Sequence, residues 1–173
     1  MNSTNLNARF LFITVAVFVA ALSRVFPHIP NFTPIAAMAL FGGACMSNKR
    51  MAFIIPFVAM LISDLIIGFH NTMIYVYVAF AITVFIGWGL RDRVKPGSLF
   101  IASLASSVIF FLITNFGVWA AEGMPNGTSG MLNTYVLGVP FFRMTLLGDL
   151  FYNTILFGSF YLAQLRFPVL AKV

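Results

Sequence analysis

Charge is scarce in this chain: only 8% of its 173 residues are Asp, Glu, Lys or Arg, and only four are acidic. Soluble domains carry about a quarter charged residues, so a water-facing globular surface is excluded. Cysteine is scarcer still. The lone Cys45 excludes an internal disulfide and, with no CxxC partner, a thiolate metal site within one chain. HExxH, GxSxG and phosphate-cradling glycine loops are absent, and with them the familiar marks of zinc hydrolases, serine hydrolases and P-loop enzymes. What is abundant is apolar: 61% of the residues are hydrophobic, gathered in long runs that mark an integral membrane protein. A net charge of +6 would suggest nucleic acid in a soluble domain. Here the basic residues sit in short gaps between apolar runs, where they set topology and meet lipid headgroups, and no nucleic-acid role is expected.

Six apolar segments can be drawn, at residues 10–26, 34–46, 51–69, 72–90, 98–121 and 141–165. The cations gather at alternate gaps. Arg9, Lys49, Arg50, Arg91, Arg93, Lys95, Arg166 and Lys172 fall on one side, and only Arg24 and Arg143 on the other. By the positive-inside rule this predicts an all-α, six-helix bundle with both termini in the cytoplasm, a single domain over residues 1–173 in a bacterial inner membrane. Arg9 and the small-residue triplet Ala21-Leu22-Ser23 imitate a signal peptide, but the first segment is read as a retained helix.

Spanning the hydrocarbon takes about 20 helical residues, and the second segment, Pro34 to Met46, is too short. It either starts below the outer surface or is extended by irregular backbone from Pro27-His28-Ile29-Pro30-Asn31. Non-helical backbone at membrane depth survives where it lines a cavity or is buried in protein, so this segment points to a pocket open to the outside. The outer connection from Glu122 to Pro140 is long, rich in Gly, Pro, Asn, Ser and Thr, and studded with Met124, Met131, Leu132 and Tyr135. It reads as a lid loop over residues 122–140. In the first helix Ala16 and Ala20, four apart, offer a small-residue face for another helix, either within the bundle or on a partner.

Ionisable groups inside a span are costly and are paired or functional. Asp64, Glu122 and Asp149 all fall toward the outer half, as do Arg24 and Arg143. One reading is neutralisation, Arg24 with Asp64 and Arg143 with Asp149. The other is a polar pocket that grips a solute. Asn115, Trp119 and Glu122 lie at i, i+4 and i+7, and Asp149, Tyr152 and Asn153 at i, i+3 and i+4, so each set forms one helical stripe. Trp119 and Tyr152 would equally suit an interfacial aromatic belt. His28 and His70 fall in outer loops without a third ligand at a recognisable spacing, so no metal and no cofactor is expected.

The stretch Pro30-Asn31-Phe32-Thr33-Pro34-Ile35-Ala36-Ala37-Met38-Ala39-Leu40-Phe41-Gly42-Gly43, with Ile62-Ser63-Asp64-Leu65-Ile66-Ile67-Gly68 and Leu147-Gly148-Asp149-Leu150-Phe151-Tyr152, is similar to a family of uncharacterised bacterial membrane proteins associated with solitary, cobalamin-type S-components. In architecture the chain resembles the substrate-binding S-components of energy-coupling-factor (ECF) vitamin transporters. That resemblance implies an outer pocket built from helices four to six, closed by the connections at residues 27–33 and 122–140. It also implies docking of the Ala16 and Ala20 face on a coupling subunit, with ATP hydrolysis left to separate ATPase subunits. A cobalamin-like solute would need an axial ligand from His28 or His70, since Cys45 is at the inner end.

The expectation is therefore a non-enzymatic uptake protein for a small vitamin-like solute. Its binding residues would be His28, Asn31, Asn115, Trp119, Glu122, Arg143, Asp149, Tyr152 and Asn153, and Arg24 and Asp64 would form a structural ion pair. Two alternatives stand beside it. One is a small membrane enzyme acting on a lipid or lipid-linked substrate, with Asp64 and Asp149 as acid and base. The other is a structural or assembly subunit with no pocket.

Overall fold

A half-length helix sits at the centre of this molecule, wrapped by five longer ones. The computed structural model describes residues 3–27, 29–91 and 93–171, with side chains from Ala8 onward; His28, Asp92 and Lys172 lie outside the described residues. The elements are α1 (Ser3–Ser23), α2 (Ile35–Cys45), α3 (Lys49–Ile67), α4 (Met73–Leu90), α5 (Pro96–Ala121) and α6 (Gly127–Arg166), with a 3-10 turn at Pro168–Leu170. No strand occurs among the described residues. Helices α3 to α6 are long and apolar enough to cross a membrane, while the apolar stretches of α1 and α2, Ala8–Ser23 and Ile35–Cys45, are shorter.

Local chemistry sets the ends. Asn48 Oδ1 accepts the N–H groups of Arg50 and Met51 at 2.9 and 3.3 Å, capping α3, whose far end stops at Gly68 with φ of 106°. Ser98 Oγ accepts the Lys95 N–H at 3.0 Å at the start of α5, just after Pro96 takes the first helical position. The chain therefore turns back tightly at the end carrying Lys49, Arg50, Arg91, Arg93 and Lys95, hereafter the basic end. Arg24, Asp64 and Glu122 mark the opposite, acidic end.

Helix α2 is buried all round from Ala36 to Cys45, as its uniformly apolar sequence requires. Its closest neighbour is α4. A Cβ added at Gly43 would strike the Val84 carbonyl oxygen, and one added at Gly87 would strike that of Leu40. The two helices thus cross backbone to backbone, the geometry small residues permit. Around the crossing pack Phe41, Phe80, Met38, Leu40 and Met60, all fully buried, with Phe41 edge-on to Phe157 and Phe160 at 5.1 and 5.8 Å.

At 11 residues α2 is about 16 Å long, roughly half the hydrocarbon thickness. Its depth follows from its contacts. Gly148 abuts the backbone of Phe32 and Thr33 just ahead of α2. The next residue, Asp149, bonds Ser107, which lies near the middle of the 26-residue α5. Helix α2 therefore begins at mid-depth and fills only the basic half, and the non-helical residues 29–34 descend to meet it. Asn31 takes a left-handed φ of 61° there, a conformation asparagine tolerates better than most residues.

One expectation is corrected. Residues 122–140 are not a long lid loop: α6 begins at Gly127, and only residues 122–126 connect it to α5. Gly130, Gly138 and Pro140 argue for a loop by local propensity, but packing against α5 overrides them. Tyr135 donates its hydroxyl to the Leu112 carbonyl at 2.8 Å, its ring meets Phe111 at 5.8 Å, and Gly138 lets Asn115 approach closely. Pro140 deletes one rung of the ladder without ending the helix.

Candidate functional site

Because α2 stops at mid-depth, the acidic half above it is not filled by helix. A cavity of about 350 Å³ occupies that space. Asn31 and Thr33 wall it from the descending segment, Ile35 and Ala36 from the first turn of α2, His70 and Thr72 from the turn ahead of α4, and Val76 from the first turn of α4. Helix α5 contributes Phe110, Phe111, Thr114, Asn115 and Val118, and α6 contributes Gly138, Phe141, Phe142, Thr145 and Asp149. The walls combine aromatic surface with hydroxyl and amide groups, the composition of a site for a small organic solute.

The floor is the most informative part. Asp149, 1% exposed, has its Oδ2 2.6 Å from Ser107 Oγ and accepts the backbone N–H of Ala37, the third residue of α2. Ser107 Oγ also lies 3.0 Å from the Ser103 carbonyl, but a hydroxyl has one proton, and the shorter contact to the carboxyl takes it. A carboxyl group from α6 thus serves as the N-terminal cap of α2, which has none of its own from Pro34. Negative charge is favoured at this position by the helix dipole. The preceding N–H groups, of Ile35 and Ala36, have no intrahelical acceptor, and both residues line the cavity. Donors and an acceptor therefore sit side by side at the base.

At the rim, Arg24 and Asp64 form an ion pair of 2.8 Å with side chains 9% and 5% exposed. Arg24 Nη1 also lies 2.5 Å from Ser63 Oγ and 3.0 Å from the Met60 sulfur, and Tyr77 donates to Asp64 Oδ2 at 2.9 Å. This network ties α1, α3 and α4 together beside the cavity, with Arg24 forming part of its wall.

Of the residues expected in the pocket, Asn31, Asn115 and Asp149 line it, and His28 lies outside the described residues. The others do not. Trp119 donates its indole N–H to Pro125 O at 3.2 Å and braces the turn between α5 and α6. Glu122 is exposed past the end of α5, and Arg143 is exposed on the face of α6 turned away from Phe142 and Thr145. Arg143 does not pair with Asp149; Arg24–Asp64 is the ion pair found among the described residues. Tyr152 packs on Phe32 at 5.8 Å, holding the descending segment from outside the cavity. Asn153 is one turn below the floor, its Nδ2 donating to Ser103 Oγ at 2.9 Å.

The Ala16 and Ala20 face is turned inward as well. Ala20 is buried and Ala16 packs against the core, while Leu11, Val15, Val19 and Leu22 form the exposed row of α1. No cluster of three metal-binding side chains occurs among the described residues.

Sequence reasoning missed Thr33, Thr114, Thr145 and the four phenylalanines. The signal for them was helical spacing. Phe141, Thr145 and Asp149 recur every four residues, and Phe110, Thr114 and Val118 do the same on α5. Residues 4–170 match the model of a family of unknown function, DUF6580, and the chain belongs to that family. No curated protein and no solved structure matches it.

Proposed function

We propose that this DUF6580 member is a membrane solute-binding protein, similar in role to an S-component, that takes up a small organic molecule through the cavity at its acidic end. The observation that carries the reading is the floor of that cavity. A half-length helix starts at mid-depth, turns toward the cavity a first turn whose N–H groups have no intrahelical acceptor, and is capped by the buried Asp149 carboxyl. Building such a polar base inside an apolar bundle is costly, and a ligand that hydrogen-bonds to it accounts for the arrangement.

Under this reading all six helices lie in a bacterial inner membrane, with the basic end and both termini in the cytoplasm, as the distribution of Lys and Arg favours. The cavity then opens outward and is blind, because α2 plugs the half beneath it. Inward release requires α2 to part from α4 or α5, so the solute must bind the outward-open and inward-open forms with different affinity.

The volume sets the solute's size. At about 350 Å³ the cavity is at the small end of ligand pockets, which run about 300–1,000 Å³. A single ring system with a polar edge fits; a corrinoid does not fit this form. Coupling and ATPase subunits belong to the S-component resemblance, and the buried Ala20 makes the Ala16 and Ala20 face a poor place to dock them. The rival reading, lipid chemistry with Asp64 and Asp149 as acid and base, is disfavoured because Asp64 is already engaged by Arg24 and Tyr77.

The test is equilibrium binding of the solute that co-purifies with the protein. Asp149→Asn and Asn115→Leu should each weaken binding at least tenfold while Arg143→Ala leaves it unchanged. Equal affinity in all four proteins removes the solute from this cavity.

A further inference from the structure

The basic end carries a second pair of concavities that the outward-facing cavity does not use. One, of about 380 Å³, is walled by Arg9, Arg91, Cys45, Phe160, Tyr161 and Gln164. It adjoins an apolar groove of about 640 Å³ between α5 and α6, and Val94, Phe157 and Tyr161 belong to both. The groove runs along Leu99, Phe100, Leu150 and Gly158 with Lys95 at its mouth.

The first concavity holds two arginines and, among the described residues, no carboxylate paired with either. Arg9 Nη1 donates to Leu170 O at 2.8 Å and Nη2 to Cys45 O at 3.1 Å, and its guanidinium lies 4.9 Å from the Phe160 ring centroid. Those bonds use two of five N–H donors, and the Nε–H is buried with no acceptor. Arg91, close enough to Arg9 to repel it, has no side-chain hydrogen bond or ion pair among the described residues. The described carboxyl groups, Asp64, Glu122 and Asp149, are all elsewhere. Two guanidinium groups facing one cavity, neither in an ion pair among the described residues, are complementary to phosphate, which accepts from Arg in a bidentate fashion.

The adjoining groove adds the other half of an amphiphile. Gly158 has open space where a side chain would stand, and the exposed Phe100 and Tyr161 flank the channel. We propose that this end binds one anionic phospholipid, its phosphate held by Arg9 and Arg91 and one acyl chain laid in the α5–α6 groove past Gly158. The site is independent of the outer cavity and of whatever that cavity binds.

The test is native mass spectrometry of the full chain, offered phosphatidylglycerol or phosphatidylcholine of the same acyl chains, with inorganic phosphate as competitor. Wild type should retain one phosphatidylglycerol in preference to phosphatidylcholine, by roughly fivefold for each arginine. Arg91→Gln should lower that preference by the same factor. Gly158→Leu, which meets open space and so folds, should weaken both lipids, and millimolar phosphate should displace neither. Arg9→Ala is the less clean variant, because Arg9 also ties the end of α2 to Leu170. Equal retention of the two lipids, or an unchanged preference in Arg91→Gln, overturns the phosphate contact. Displacement by free phosphate with no effect of Gly158→Leu overturns the lipid, leaving a site for a soluble anion.

Discussion

Replacing Asp149 separates its two roles, capping α2 and contacting a solute. With Asp149→Leu, the Ala37 N–H loses its acceptor at a position closed to water. Ser107 can turn its proton to the Ser103 carbonyl, 3.0 Å away, so one donor is orphaned. An unsatisfied buried donor costs about 1–3 kcal/mol, and the lost bond went to a charge-bearing group at the upper end of that range. A loss of about 2–3 kcal/mol lowers the unfolding midpoint by roughly 4–12 °C in a chain of this size. Asp149→Asn behaves differently. Its Oδ1 still accepts from Ala37, and its amide can donate to Ser107 Oγ once that hydroxyl turns to Ser103. The expected loss is under about 1 kcal/mol. Thermal unfolding of the three proteins in one detergent, followed by intrinsic fluorescence, reads the difference. An Asn variant as unstable as the Leu variant, or a Leu variant as stable as wild type, would refute the capping role.

Other consequences follow from the same geometry. Gly43→Ala and Gly87→Ala each drive a methyl into a backbone carbonyl across the α2–α4 crossing, and should destabilise by about 1–3 kcal/mol or more, whereas Gly89→Ala, facing open space, should be neutral or slightly stabilising in the same melts. Arg24→Met should cost about 3–5 kcal/mol by stranding Asp64, and adding Asp64→Leu should restore much of it. A double-mutant cycle that comes out additive would show the pair to be uncoupled. In intact cells a membrane-impermeant thiol reagent should label Ser129→Cys and not Ser47→Cys. The reverse pattern would invert the proposed topology.

The chain announced some of this and concealed the rest. The shortness of α2 was visible because a helix buried in a membrane must be apolar throughout, and the apolar run between Pro34 and Met46 is simply too brief. Arg24 and Asp64 were legible as a pair because few charges are available and a buried cation needs an anion. The stretch after Gly127 was not legible. Its glycines, Pro140 and hydroxyl residues favour a loop locally, and only contacts with Leu112, Phe111 and Asn115 on α5 make it helix.

The stripe from Asn115 to Glu122 had the right period, but it runs past the cavity mouth, so Trp119 and Glu122 share a helix with the site without reaching it. Asn153 illustrates the same limit on α6. Four residues beyond Asp149 it faces Ser103 rather than the cavity, because the floor lies between them. Sequence spacing sets which residues share a face, and it does not say where along that face a neighbouring helix ends.

Native mass spectrometry of protein purified gently from its own host decides whether the cavity at the acidic end is a solute site. The expected result is one small molecule, of a size that 350 Å³ can hold, retained by wild type and by Arg143→Ala and lost from Asp149→Asn. A spectrum with lipid adducts but no such molecule, or one in which Asp149→Asn retains it as well as wild type, would contradict the solute-binding role.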